Sequence, residues 1–153
     1  MTSEILSPQE GFLQIGEAAA RSELTQRTLR YYEEKGLLRP PTRMDGGFRL
    51  YSSEDMARLE RIKELKELLG FSLADIKEML EAEDVKMQIR AEWRKEADAS
   101  EKAPAMRKAR ELTKHQIDLI DQKMWKMSEM RNQLAERLEK YDRWLATNAP
   151  GSE

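Results

Sequence analysis

With 153 residues, the chain has room for one ordinary domain, or for a small domain plus an extended element. Charged residues make up 37% and the mean hydropathy is strongly negative, which suits helices with much exposed surface better than one thick core, and no apolar run nears the roughly 20 residues of a membrane helix. Cysteine is absent and His115 is the single histidine, which excludes disulfides, thiolate metal sites and iron–sulfur clusters, so no metal and no cofactor is expected; the net charge of −2 excludes a protein that coats nucleic acid through overall basicity.

Met1 to Gly11 has neither a basic start nor an apolar segment and reads as a disordered lead-in rather than a signal peptide, which suggests a cytoplasmic protein. Residues 12–81 read as one compact domain. Ile15 to Arg21 is a short Ala-rich helix, Ser22-Glu23-Leu24 makes a turn, and Thr25 is the N-cap of a second helix that runs to about Lys35 and stops at Gly36. Ile15, Ala19, Leu24, Leu29, Tyr32, Leu37 and Leu38 can close a small core. Pro40-Pro41 ends any helix, and Arg39 to Arg49 reads as a two-stranded ribbon turning at Asp45-Gly46-Gly47. Ser52 or Ser53 starts the next helix, whose apolar positions Met56, Leu59, Ile62, Leu65, Leu68 and Leu69 recur at helical spacing until Gly70. Ser72 caps a further helix carrying Leu73, Ile76, Met79 and Leu80.

Residues 82–104 read as a linker with an amphipathic helix on Val85, Ile89 and Trp93, and Pro104 suits the first turn of a new helix. Residues 105–146 then carry a heptad seam: Ile117, Ile120, Met124, Met127, Arg131, Leu134, Leu138, Tyr141 and Leu145 alternate spacings of three and four, with Arg131 the one non-apolar member. About 40 residues of helix span roughly 60 Å. A domain of some 70 residues cannot cover such a stripe, so the helix needs a partner, and a second, antiparallel copy is the simplest one. Arg131 could then meet Glu129 or Glu136 of that copy. Met124 and Met127 are explained as seam residues rather than as soft-metal ligands.

Charge is distributed unevenly. From Arg21 to Arg49 there are seven Lys/Arg against four acids, a local excess of three, while the rest of the chain is acidic. Arg27 and Arg30 lie one helical turn apart and share a face, where arginine can grip phosphate or read guanine. Arg21 and Arg43 are plausible phosphate contacts. Of Tyr31 and Tyr32, one hydroxyl could donate to phosphate while the other ring fills the core.

Several of these segments resemble, in order, the MerR family of transcriptional regulators: Ile15-Gly16-Glu17-Ala18-Ala19, Thr28 to Leu38 (Thr-Leu-Arg-Tyr-Tyr-Glu-Glu-Lys-Gly-Leu-Leu), Phe48-Arg49-Leu50-Tyr51 with Ser53-Glu54-Asp55, and Lys66 to Ile76 around Gly70-Phe71-Ser72. The resemblance implies a mainly α fold, with a winged helix-turn-helix N-terminal domain and a long C-terminal helix that forms an antiparallel coiled-coil homodimer. It also implies a regulator that bends and untwists double-stranded promoter DNA at an inverted repeat so that RNA polymerase can read both promoter elements. On that pattern Arg30 and Tyr32 contact the DNA backbone, Arg27 reaches bases, and Arg49 on the wing is the second anchor. Phe48 stands where the family often has a tyrosine, which leaves ring packing in place of a hydroxyl contact. Family effector pockets lie between the long helix and the DNA-binding half, where Trp93 and Trp125 could line an apolar pocket. The cysteines of metal-sensing members and the added ligand domain of multidrug-binding members are absent, which leaves a small organic effector between helices or none. The alternative reading is an architectural or chromosome-organising DNA-binding protein. With no nucleophile–base pair and no phosphate loop, the chain does not read as an enzyme.

Overall fold

The structure, a computed structural model, describes residues 11–39, 42–43, 47, 49–149 and 151, and divides into two units, residues 1–84 and 85–153. The expected lead-in up to Glu10, Pro40-Pro41, Phe48 and most of the expected turn at Asp45-Gly46 lie outside the described residues.

In the first unit, strand β1 (Leu13–Gln14) leads directly into helix α1 (Ile15–Ser22), followed by α2 (Gln26–Glu34), β2 (Thr42–Arg43), β3 (Arg49–Tyr51) and α3 (Ser53–Lys63). The α1–α2 corner is built from local chemistry. The Ser22 hydroxyl, fully buried, donates to the Ala18 carbonyl at 2.7 Å, and Glu23 adopts a left-handed backbone (φ 58°) that turns the chain. Thr25 caps α2 as its position suggests, its Oγ1 accepting from the Thr28 N–H at 3.0 Å. Gly36 (φ 79°) closes the helix, and a side chain there would also meet the Lys77 ammonium.

The ribbon has a third strand. The antiparallel order is β1-β3-β2, with Leu13 opposite Tyr51, Leu50 between Gln14 and Thr42, and Arg43 opposite Arg49. Ser52 then forms a complete capping box with Asp55: its Oγ accepts from the Asp55 N–H at 3.1 Å, and its own N–H donates to Asp55 Oδ2 at 2.9 Å. Leu29, Tyr32, Leu37, Leu50, Tyr51, Leu59, Ile62, Leu65 and Ile76 are among the residues that fill the core of this unit. Ile15 and Leu24, expected in it, are half-buried. Arg58 ties α3 to the end of the helix-turn-helix by donating from Nε to the Leu37 carbonyl and from Nη1 to Asp84 at 2.7 Å.

The helix after Ser52 does not run as a regular α-helix to Gly70. Glu64–Leu68 is a π turn, with the Leu69 N–H donating to the Glu64 carbonyl five residues back at 3.2 Å. The extra residue rotates the end of the helix. Leu68 and Leu69, expected on the apolar face, are therefore 79% and 49% exposed. Gly70 (φ 68°) lets the Phe71 N–H return to the Leu65 carbonyl, and Ser72 caps α4 (Leu73–Ala91).

The second unit holds the last turns of α4 and a single 50-residue helix, α5 (Ala99–Asn148), about 75 Å long. Trp93 lies past the end of α4, not inside an amphipathic helix. Asp98, not Pro104, marks the start of α5: its Oδ1 accepts from the Ser100 hydroxyl (2.7 Å) and the Glu101 N–H (3.0 Å), which together hold its carboxyl below the usual range. Pro104 sits inside the helix, where the missing N–H forfeits one main-chain bond and the strong cap carries the start past it. Lys86 on α4 donates to Gln116 Oε1 (2.6 Å) and Thr113 Oγ1 (3.2 Å), holding α4 against α5. Among the described residues, no helix is long and apolar enough to cross a membrane.

Candidate nucleic-acid interface

Helix α2 sorts its side chains by face. Leu29 and Tyr32, three residues apart, turn into the core, while Arg27, Arg30, Tyr31 and Lys35 are exposed. The Arg30 guanidinium has one contact among the described residues, a marginal one with Gln26 Oε1 at 3.5 Å, so it is available to an external anion. Arg27 shares that exposed side.

The two tyrosines correct the expectation. Tyr32, expected to reach the DNA backbone, is 2% exposed and fills the core, because it lies on the same stripe as Leu29. Tyr31 is 40% exposed and is the one able to donate outward. Two further lysines, not singled out in the sequence, extend the basic surface here: Lys35 has its Nζ 5.6 Å from the Tyr31 ring centre, and Lys66 has its Nζ 6.0 Å from that of Tyr32.

On the wing, Arg49, expected as the second anchor, donates from Nε to Glu33 Oε2 on α2 at 2.7 Å, and the two side chains are only 26% and 18% exposed. Two residues along β3, Tyr51 is almost wholly buried and its hydroxyl has no hydrogen-bond partner among the described residues. Burial pushes this phenol above its usual value and the Glu33 charge adds to the effect, while Arg49 and Arg30 act against it. Glu33, Arg49, Arg30 and Tyr51 thus share one electrostatic neighbourhood. Arg43 is placed by its backbone opposite Arg49, its side chain lying outside the described residues, as all of Phe48 does. Arg21 is exposed at the last turn of α1.

In the second unit, Ile117, Ile120, Met124, Met127, Leu134, Leu138, Tyr141 and Leu145 are all exposed along α5, and Arg131 with them. Ile89 and Trp93 line two open cavities. One, of about 290 Å³, is also lined by Lys86, Arg90, Met106 and Ala109, and the other, of about 310 Å³, includes Lys102, whose Nζ lies 5.1 Å from the centre of the Trp93 ring. Trp125, expected to share a pocket with Trp93, lines neither cavity and is 63% exposed, since it lies one residue past the seam position Met124 on a helix face that nothing in this unit covers. Among the described residues, no cluster of three or more His, Asp or Glu could hold a metal ion.

Comparison with known proteins places this arrangement. The family model described as MerR HTH family regulatory protein matches residues 13–83. The HTH-type transcriptional regulator YfmP of Bacillus subtilis (strain 168) is 40% identical over 113 residues, 74% of this chain and 81% of that protein. The HTH-type transcriptional regulator ZntR of Escherichia coli (strain K12) is 46% identical over 66 residues, 43% of this chain and 46% of that protein's length. Among solved structures, HiNmlR, a MerR family regulator lacking the sensor domain and bound to promoter DNA, shares the fold with a TM-score of 0.52 at 22% identity, covering 88% of this chain and 94% of that one. The segment matched by the family model spans the helix-turn-helix, the three-stranded wing and the capped helices after it, and the Bacillus subtilis relative is similar over most of both chains: the chain belongs to the MerR family of helix-turn-helix transcriptional regulators.

Proposed function

We propose that this regulator acts as a homodimer on a promoter, with α2 of each copy in the major groove of an inverted repeat and the wing on the flanking backbone. The observation that carries the reading is the exposed apolar seam on a chain that also presents an outward arginine face. Eight large apolar side chains from Ile117 to Leu145 stand in water along one side of α5, and a contiguous patch of this kind marks a protein interface. A second copy running antiparallel covers it and brings Arg131 to acids such as Glu129 and Glu136. A relative of the same fold has been seen on promoter DNA, which supports the same target here.

In this reading Arg30 and Arg49 hold the phosphate backbone, Arg27 reaches base edges, and Arg21, Arg43 and Tyr31 add backbone contacts. Bending and untwisting of the operator, with RNA polymerase as the second partner, belong to the same proposal. A small organic effector fits beside Trp93, where the cavities lie at the lower end of the size range of small-molecule pockets. The architectural alternative is not favoured, since the relatives are transcriptional regulators.

The test is the mass of the complex on a palindromic duplex selected from a random pool. Two chains per duplex are expected. One chain per duplex, or an open-ended series that grows with duplex length, overturns the reading.

A further inference from the structure

The geometry points to Glu33 as a positioning residue for the wing: its carboxylate fixes the Arg49 guanidinium so that Arg30 and Arg49 meet the DNA backbone at a preset spacing. The inference rests on the DNA-binding reading above. It also runs against the first expectation for an acid at a DNA surface, which is that it repels phosphate.

Three observations carry it. The bond is short and charge-assisted, and it is made by Nε alone. Among the described residues Arg49 has no other hydrogen bond, which leaves both Nη groups, the fork that grips phosphate, unspent. The pair is largely covered, so it is not one of the solvated surface pairs that contribute little.

The pair also joins two elements that are sixteen residues apart in sequence. Arg49 stands on β3, the central strand of the sheet, paired on both sides, and Glu33 stands on the recognition helix. Fixing a long side chain before the phosphate arrives removes an ordering cost worth up to about tenfold in affinity. The opposing effect is smaller. The repulsion between the Glu33 carboxylate and the phosphate is offset by the Arg49 guanidinium that stands between them in this reading. Ordering therefore wins, and removing this acid weakens DNA binding.

The experiment compares the full-length chain with Glu33→Gln, Arg49→Ala and the double variant, by fluorescence anisotropy on one labelled duplex selected from a random pool. Each protein is titrated at several KCl concentrations. Glu33→Gln is expected to bind about three- to tenfold more weakly, with the salt slope of the parent chain, because Arg49 still reaches its phosphate. Arg49→Ala is expected to bind more weakly still, with a slope shallower by about 0.9 for each phosphate it no longer neutralises. The double variant is expected to match Arg49→Ala. Equal or tighter binding by Glu33→Gln overturns the assignment, and so do additive effects of the two substitutions. A parent chain that selects no duplex overturns the DNA-binding reading itself, and the assignment with it.

Discussion

Replacing Arg30 by alanine is expected to separate binding from folding, because the proposed reading gives this side chain a duty on DNA and the fold makes little use of it. In the free chain its guanidinium is exposed and, among the described residues, makes a single marginal contact with Gln26 at 3.5 Å. Alanine is at least as good a helix former. The substitution is therefore expected to change stability by less than about 0.5 kcal/mol, a shift of about 2 °C or less in Tm for a chain of this size. In the proposed reading the same side chain makes a charge-assisted hydrogen bond to phosphate on DNA, worth about 1.5–3 kcal/mol. A homodimer loses it twice, about 3–6 kcal/mol, or roughly a hundred- to ten-thousandfold in Kd. The salt dependence reports the same loss independently, since two fewer phosphates neutralised makes the log–log slope shallower by about 1.8. The assay is a Kd titration at four or more KCl concentrations on a selected duplex, beside a thermal melt of each protein. Unchanged affinity and slope in a folded variant would refute the placement of this face of α2 on DNA, and a large fall in Tm would refute the claim that Arg30 has no structural duty.

The remaining predictions concern the seam, the buried phenol and the helix cap. Leu134→Asp buries an unpaired charge in the coiled coil, so light scattering should report 17.9 kDa in place of twice that mass; an undiminished mass means the seam is misread. Tyr51→Phe removes a buried hydroxyl that has no partner, so at neutral pH it should be neutral or stabilising by on the order of 1 kcal/mol. The folded phenol titrates above the ordinary value of 10.0, so its contribution is fully present below that pH and is lost as pH rises through the raised value; the parent chain should lose stability at alkaline pH more steeply than Tyr51→Phe, and parallel pH–Tm curves would contradict this. Ser52→Ala removes the Oγ that accepts from the Asp55 N–H, one arm of the capping box, and should cost about 1 kcal/mol, with an equilibrium melt as the check and no change expected in DNA salt slope.

What was legible in the sequence was mostly local. The caps at Thr25, Ser52 and Ser72 are short side chains a few residues from the amides they satisfy, so spacing alone identifies them. Strand β1 was not legible: Leu13–Gln14 is too short to show a period, and it is a strand only because β3 offers it an edge. The π turn was hidden by a pattern that fits a regular helix equally well, since Leu68 and Leu69 recur at the right spacing and only the tertiary path rotates them outward. Which of Tyr31 and Tyr32 fills the core stayed open, because adjacent identical residues offer no contrast until the core fixes the phase of α2. The Glu33–Arg49 pair was out of reach, because no local rule links an acid on a helix to a wing arginine sixteen residues on. The long helix α5 and its apolar stripe were plain because nine positions repeat one spacing rule over four heptads.

Most direct among the tests is the selection itself: the full-length chain is offered random-sequence duplexes at near-physiological salt, and the best binders are footprinted. The account predicts an inverted repeat, with two symmetric protected half-sites in which the same bases recur among independent winners. Broad protection with no shared sequence would contradict a sequence-specific dimeric regulator and would favour the architectural reading in its place.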